Sequence, residues 1–202
     1  MSLMPMPPPP RRLWVWACLG GLVVAGAAAA RLGTASVAAP LPDYGSVPAF
    51  ALVDQRGRQV TGATFAGRVW VADFIFTRCA GQCPMMSSRM QELAARLPAG
   101  FQRVSISVDP AWDTPAVLSA YAERYGARDG SWLFLTGEPG AVRRLCRDGF
   151  HLAVGDEGTA EEPITHSTRL ALMDRQGRLR GYYDAMEEAD MARLPRDVRA
   201  LR

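Results

Sequence analysis

The stretch TRCAGQCPMM carries two cysteines, Cys79 and Cys83, with three residues between them. A thiolate is both a nucleophile and a soft ligand, so two chemistries are open: reversible disulfide formation, or capture of a soft metal. The spacing departs from the redox C-x-x-C pattern. If the segment coils, residues four apart face the same way and both sulfurs can meet one ion. Pro84 suits the first turn of a helix. Cys83 beside it would face unpaired amide donors and the positive end of a helix dipole, both of which favour thiolate.

Softness narrows the choice of metal. Iron–sulfur clusters ask for four cysteines, and the other two in the chain are badly placed: Cys18 lies in an apolar N-terminal segment, and Cys146 reads as a small buried hydrophobe. Structural zinc asks for four ligands of the Cys/His type. Copper(I) is satisfied by two thiolates and one imidazole. Only two histidines exist, His151 and His166. His166 closes a long acidic stretch just before an apolar run. From there it can swing onto the sulfurs and leave again, or hydrogen-bond to backbone within its loop. His151 reads as a polar residue at a helix exit. Met86 fits the apolar face of a helix, and Met85 beside it offers a second soft sulfur. Asp109 ends an apolar run next to Pro110, either as a cap or as support for the cysteine loop. Asp73 interrupts the run VWVADFIF, where a buried carboxylate needs partners.

These residues are strung on an alternating pattern. FALVDQRGRQVT reads as a hairpin, RVWVADFIF as a strand buried on both faces, and the residues from Pro84 to Leu97 as a helix. FQRVSISVD is a second long strand. DTPAVLSAYAERYG is a helix with a cap-like start and a glycine stop, WLFLTG a third strand, and EPGAVRRLCRDGF a helix ended by Gly149. RLALMDRQGRLRGYY is a hairpin turning at Asp174–Gly177, and EEADMARLPRDVRALR an amphipathic helix. Such alternation specifies an α/β fold, a mixed sheet flanked by helices in a thioredoxin-like arrangement.

At 202 residues, 49% apolar and 21% charged, the chain has the composition of one globular domain with an extension. All 23 basic residues are arginine. Three of them precede residue 41 and all 20 acids follow it, so residues 41–202 carry 20 − 20 = 0 formal charges. That balance gives no reason to expect a nucleic-acid partner. The N-terminus divides into a cytoplasmic tail (1–12) ending in two arginines, an uncharged segment (13–30) and a linker (31–48). The expected folded domain is 49–202. Positive charge ahead of an apolar segment directs the remainder out of the cytoplasm. Eighteen residues at roughly 1.5 Å each just span a hydrocarbon core. The segment is therefore either an inner-membrane anchor, single-pass with the domain in the periplasm, or a cleaved signal peptide.

Three motifs, DFIFTRCAGQCPMM, VSISVDPAWDTPAVLSAYAERYG and ITHSTRLALMDRQGRLRGYYD, occur in order across most of residues 41–202. Together they resemble the Sco/SenC family of copper-binding proteins. The resemblance implies a membrane-anchored thioredoxin-like domain that delivers copper to the CuA centre of cytochrome c oxidase during assembly. The CuA-containing subunit would be its partner, along with a copper donor and a thiol reductant. It implies copper ligation by Cys79, Cys83 and His166, a redox disulfide between Cys79 and Cys83, and, as in some members, an accessory thiol–disulfide reductase activity. Metal transfer itself needs no chemical transformation, so an enzyme is not expected. The spacer Ala80-Gly81-Gln82 lacks proline and charge, which leaves copper binding open without choosing between copper(I) and copper(II), and the acidic loop differs in detail from the family pattern.

A thiol oxidoreductase or peroxidase on the same fold is the competing expectation. Thr77 and Arg78 offer the hydroxyl and cation that a peroxidatic cysteine uses, but Thr77 stands two residues before Cys79 where peroxiredoxin motifs place it three before. A module with a static disulfide would leave His166 incidental.

Overall fold

Six consecutive buried residues, Trp70–Ile75, form β3, the strand that leads into the cysteine loop. In the computed structural model, residues 40–97, 100–127, 130–152 and 167–202 are described. The folded unit runs from Leu41 to Arg202. β3 pairs in parallel with β4 (Gln102–Ser107) from Trp70↔Gln102 through Ile75↔Ser107, and β4 pairs in parallel with β5 (Trp132–Thr136). Every residue of these three strands is buried, which is why β5 and, apart from Asp73, β3 read as apolar runs; β4 instead buries Gln102, Arg103, Ser105 and Ser107 among its apolar residues.

Antiparallel hairpins extend the sheet at both sides. β1 (Ala51–Asp54) joins β5 and β2 (Gln59–Thr61), while β6 (Arg169–Met173) joins β3 and β7 (Leu179–Asp184). The order is β2-β1-β5-β4-β3-β6-β7. The helices are α1 (Gln82–Arg96), α2 (Pro115–Arg124), α3 (Pro139–Arg144) and α4 (Glu188–Ala200). The mixed α/β sheet with helices on its flanks matches the expected thioredoxin-like class.

Both hairpins turn by one device. Asp54 Oδ1 accepts from the amides of Arg56 and Arg58, and Asp174 Oδ1 from those of Gln176 and Arg178, all at 2.9 Å. Gly57 and Gly177 each take φ +74°, where a side chain would be strained.

Two expectations change. The segment from 41 to 48, anticipated as linker, belongs to the folded unit. Tyr44 N–H donates to Leu179 C=O at 2.9 Å, Leu179 N–H donates to Gly45 C=O at 2.8 Å, and Ser46 bridges Arg178. The Arg180 guanidinium donates to the carbonyls of Pro42 and Leu41 at 2.7 and 2.9 Å. The helix expected to run to Gly149 is α-helical only to Arg144, and Leu145–Gly149 continues as one wider π turn. A side chain at Gly149 would meet Val47 and Pro48 at 3.2 Å, so the incoming segment packs directly against that turn. No helix among the described residues is long and apolar enough to cross a membrane. The segment 13–30 lies outside the described residues.

Candidate metal and redox centre

The site is built where parallel strands end. β3 stops at Ile75, Phe76 follows fully buried, and residues 77–81 turn the chain into α1. This is the carboxyl edge of the parallel strands, where α/β sheets expose their functional loops. Cys79 sits in the turn and Cys83 in the first turn of α1, which begins at Gln82, slightly earlier than Pro84 suggests. The two residues stand as thiols, Cys79 5% exposed and Cys83 0%. Cys83 N–H donates to Cys79 Sγ at 3.4 Å, and Phe76 N–H donates to Cys83 Sγ at 3.4 Å. One thiol therefore lies at the amide of the other, and the second receives a donor from the strand end.

Burial modifies the thiolate expectation for Cys83. Loss of water pushes its thiol well above the ordinary range, a rise that the Phe76 amide opposes and that Cys79 and Asp73 reinforce. Any ion that binds must displace that proton. Asp73 is fully buried in β3, and no hydrogen bond of ordinary geometry reaches either carboxylate oxygen, the Ser105 hydroxyl being its polar neighbour. Burial raises its pKa from 3.8 to about 7, against a smaller lowering by the Ser105 hydroxyl across the strand pair. That hydroxyl already accepts from Trp132 Nε1 at 2.9 Å. Beneath the pair, Ser87 Oγ of α1 and the Tyr121 hydroxyl of α2 lie 3.0 Å apart and tie the two helices together.

The loop between β4 and α2 grips the residues that precede Cys79. Asp113, expected as part of a helix cap, does something else. Thr114 caps α2 by accepting from Val117 N–H at 3.4 Å, while the Asp113 carboxylate accepts from the Thr77 amide at 3.1 Å, from the Thr77 hydroxyl, and from the Ser107 hydroxyl at 2.6 Å. Asp109 holds the next residue: Arg78 Nε and Nη2 both donate to its Oδ2, at 3.0 and 2.6 Å. Arg78 also lies 4.8 Å from the Trp112 ring centroid, and Trp112 is 54% exposed. Asp109 thus engages Arg78. Among the described residues, no third His, Cys, Asp or Glu gathers with the two sulfurs as a metal site.

The remaining sequence candidates divide. Met86 is buried, and Met85, one position before it, is 57% exposed. Cys146 is fully buried, its thiol pushed up to about 12 by that burial, and it reads as packing. His151 is exposed at the exit of the π turn, with φ +50°. His166 and Cys18 lie outside the described residues. Asp113 had no legible signal as a loop clamp, because its partner Thr77 is 36 residues away.

A family model described as SCO1/SenC matches residues 40–200. The chain belongs to the SCO1/SenC family. This Sco/SenC chain is 30% identical over 158 residues to the SCO1 protein homolog of Bacillus subtilis, covering 76% of the chain and 81% of that protein. A protein of Stutzerimonas stutzeri named for copper binding is 34% identical over 155 residues, 74% of each chain. Among solved structures, BsSco superposes with a TM-score of 0.70 at 29% identity, covering 80% of this chain and 95% of that one. BsSco is described as a member of the Sco family of cytochrome c oxidase assembly proteins in which a disulfide switch was identified. The family match thus spans nearly all of the unit Leu41–Arg202.

Proposed function

We propose that this chain is a copper-handling assembly protein that binds one copper ion through Cys79, Cys83 and His166. Copper is its cargo, delivered to the CuA-containing subunit of cytochrome c oxidase. The observation that carries the reading is the apposition of two buried thiols at a strand-to-helix turn, each within 3.4 Å of an amide donor. Copper(I) accepts this soft pair, with a loop imidazole as the third ligand. Binding exchanges thiol protons for the metal, and transfer returns them. No bond within a substrate is made or broken, so the chain is not read as an enzyme. The likeness to a protein named for copper binding and to an oxidase assembly protein supports both cargo and destination.

The same two thiols can also close into a disulfide, which would shut copper out, and a thiol reductant would then be needed to reopen the site. A thiol–disulfide oxidoreductase is the reading that competes. The uncharged segment 13–30 supports placement at the inner membrane with the domain in the periplasm.

The test is copper stoichiometry on residues 41–202, reduced and anaerobic, for the native sequence and for Cys79→Ser, Cys83→Ser and His166→Ala. One copper per chain is expected, held at least tenfold more weakly in each variant. Native-like retention in His166→Ala removes that residue from the site. No copper uptake by the native protein, together with turnover of a disulfide substrate, moves the function to the oxidoreductase.

A further inference from the structure

The geometry points to Asp113 as the positioning residue of the thiol pair: its buried carboxylate fixes Thr77, and through it Cys79, so that the two sulfurs are held ready for one ion or for each other. For its copper arm this rests on the function proposed above; for its redox arm it does not.

Three features single Asp113 out. It is 0% exposed, and burying a carboxylate is costly unless hydrogen bonds replace its water. Its bonds are not those of a helix cap, since Thr114 performs that task. They instead join the ends of two parallel strands. Ser107 is the last residue of β4, Thr77 lies just beyond β3, and the register sets Ile75 beside Ser107. The Thr77 side is held twice, through amide and hydroxyl, which fixes both the backbone and the rotamer two residues before Cys79. Cys79 N–H in turn donates to Phe76 C=O at 3.2 Å, closing the turn that brings Cys79 Sγ to the Cys83 amide. From Asp113 to the sulfur the path is short: two hydrogen bonds to Thr77, then two residues of backbone in a turn closed by the Cys79–Phe76 bond.

Groups that orient metal ligands without touching the metal commonly change affinity by 10–100-fold when removed. Asp113→Ala and Thr77→Val break the clamp from its two sides, and the double variant closes the cycle. The first readout is the midpoint potential of the Cys79–Cys83 couple in a dithiothreitol redox buffer, which needs no copper. Loosening the turn lowers the effective concentration of one thiol at the other, so the disulfide becomes easier to reduce. A tenfold loss reads as a rise of about 30 mV. The second readout is copper(I) retention against a chromophoric chelator, expected to fall about tenfold or more. Thr77→Val should shift both readouts in the native background and add nothing once Asp113 is gone.

Unchanged potential and unchanged copper retention in a folded Asp113→Ala, whatever its melting temperature, would make the residue a structural plug and overturn the proposal. Should Asp113→Ala fail to fold, Thr77→Val alone decides by the same two readouts. If the native protein takes up no copper, the function proposed above fails, and the potential still tests Asp113.

Discussion

Asp73 is the residue whose chemistry is most at odds with its surroundings. It lies in the middle of the most buried strand with no hydrogen bond of ordinary geometry to either oxygen. Its folded-state pKa is raised from 3.8 to about 7 by burial. Between those values the folded protein holds a proton that the unfolded chain has released. Stability is therefore full below about pH 4, falls as pH rises, and levels off above about pH 7. Three units at 1.36 kcal/mol each set an upper bound of about 4 kcal/mol for the loss. Asp73→Asn keeps the shape and removes the charge. In urea titrations from pH 4 to pH 8 it should flatten the fall, leaving the variant more stable than the native protein at pH 8 and little changed at pH 4. Parallel pH curves for the two proteins would mean that Asp73 is solvated or paired in solution.

At the scale of elements, the stretch 41–48 shows what sequence patterning can and cannot reveal. Strands β3 and β5 were legible because burial on both faces forces nearly continuous apolar runs, whereas β4 was legible from Val104, Ile106 and Val108 at every second position. The two hairpin turns were legible because Asp-x-x-Gly satisfies a defined geometry. Residues 41–48 have no such signature. Their attachment is mostly main-chain hydrogen bonding to residues 177–179 and arginine bonds to carbonyls, which any side-chain sequence could offer. The π turn at Leu145–Gly149 was likewise invisible, since it alters helix winding without altering composition. A chain beginning at residue 49 loses the amide bonds of Tyr44, Val47 and Leu179, the two Arg180–carbonyl bonds and the Arg178–Asp43 ion pair. At roughly 0.5–1 kcal/mol net for each of these five hydrogen bonds, and less for the exposed pair, it should be less stable than a chain beginning at 41 by roughly 2–5 kcal/mol. Equal urea midpoints would show that the segment does not contribute to folding.

For the molecule as a whole, the candidate site depends on the fold being intact. The cysteines were readable from their spacing. Their setting was not, because it is assembled from the ends of β3 and β4 and from the loop leading into α2, which meet only through the parallel register. The proposed cargo should therefore couple to global stability. A ligand that binds the folded state alone stabilises it by RT ln(1 + [L]/Kd), about 2.7 kcal/mol at a hundredfold excess over Kd. An unfolded chain keeps its two thiols and retains some affinity for copper(I), so the observed gain will be smaller. For a domain of 162 residues, Leu41–Arg202, one kcal/mol moves the melting temperature by about 2–4 °C. Anaerobic melts with buffered copper(I) should rise by several degrees in the native protein and by none in Cys83→Ser, whose remaining thiol cannot close the pair. A rise of equal size in both would place copper away from the strand-to-helix turn. No rise in either, with copper still bound at one per chain, would mean that the folded scaffold adds nothing to the affinity of two thiols in a flexible peptide.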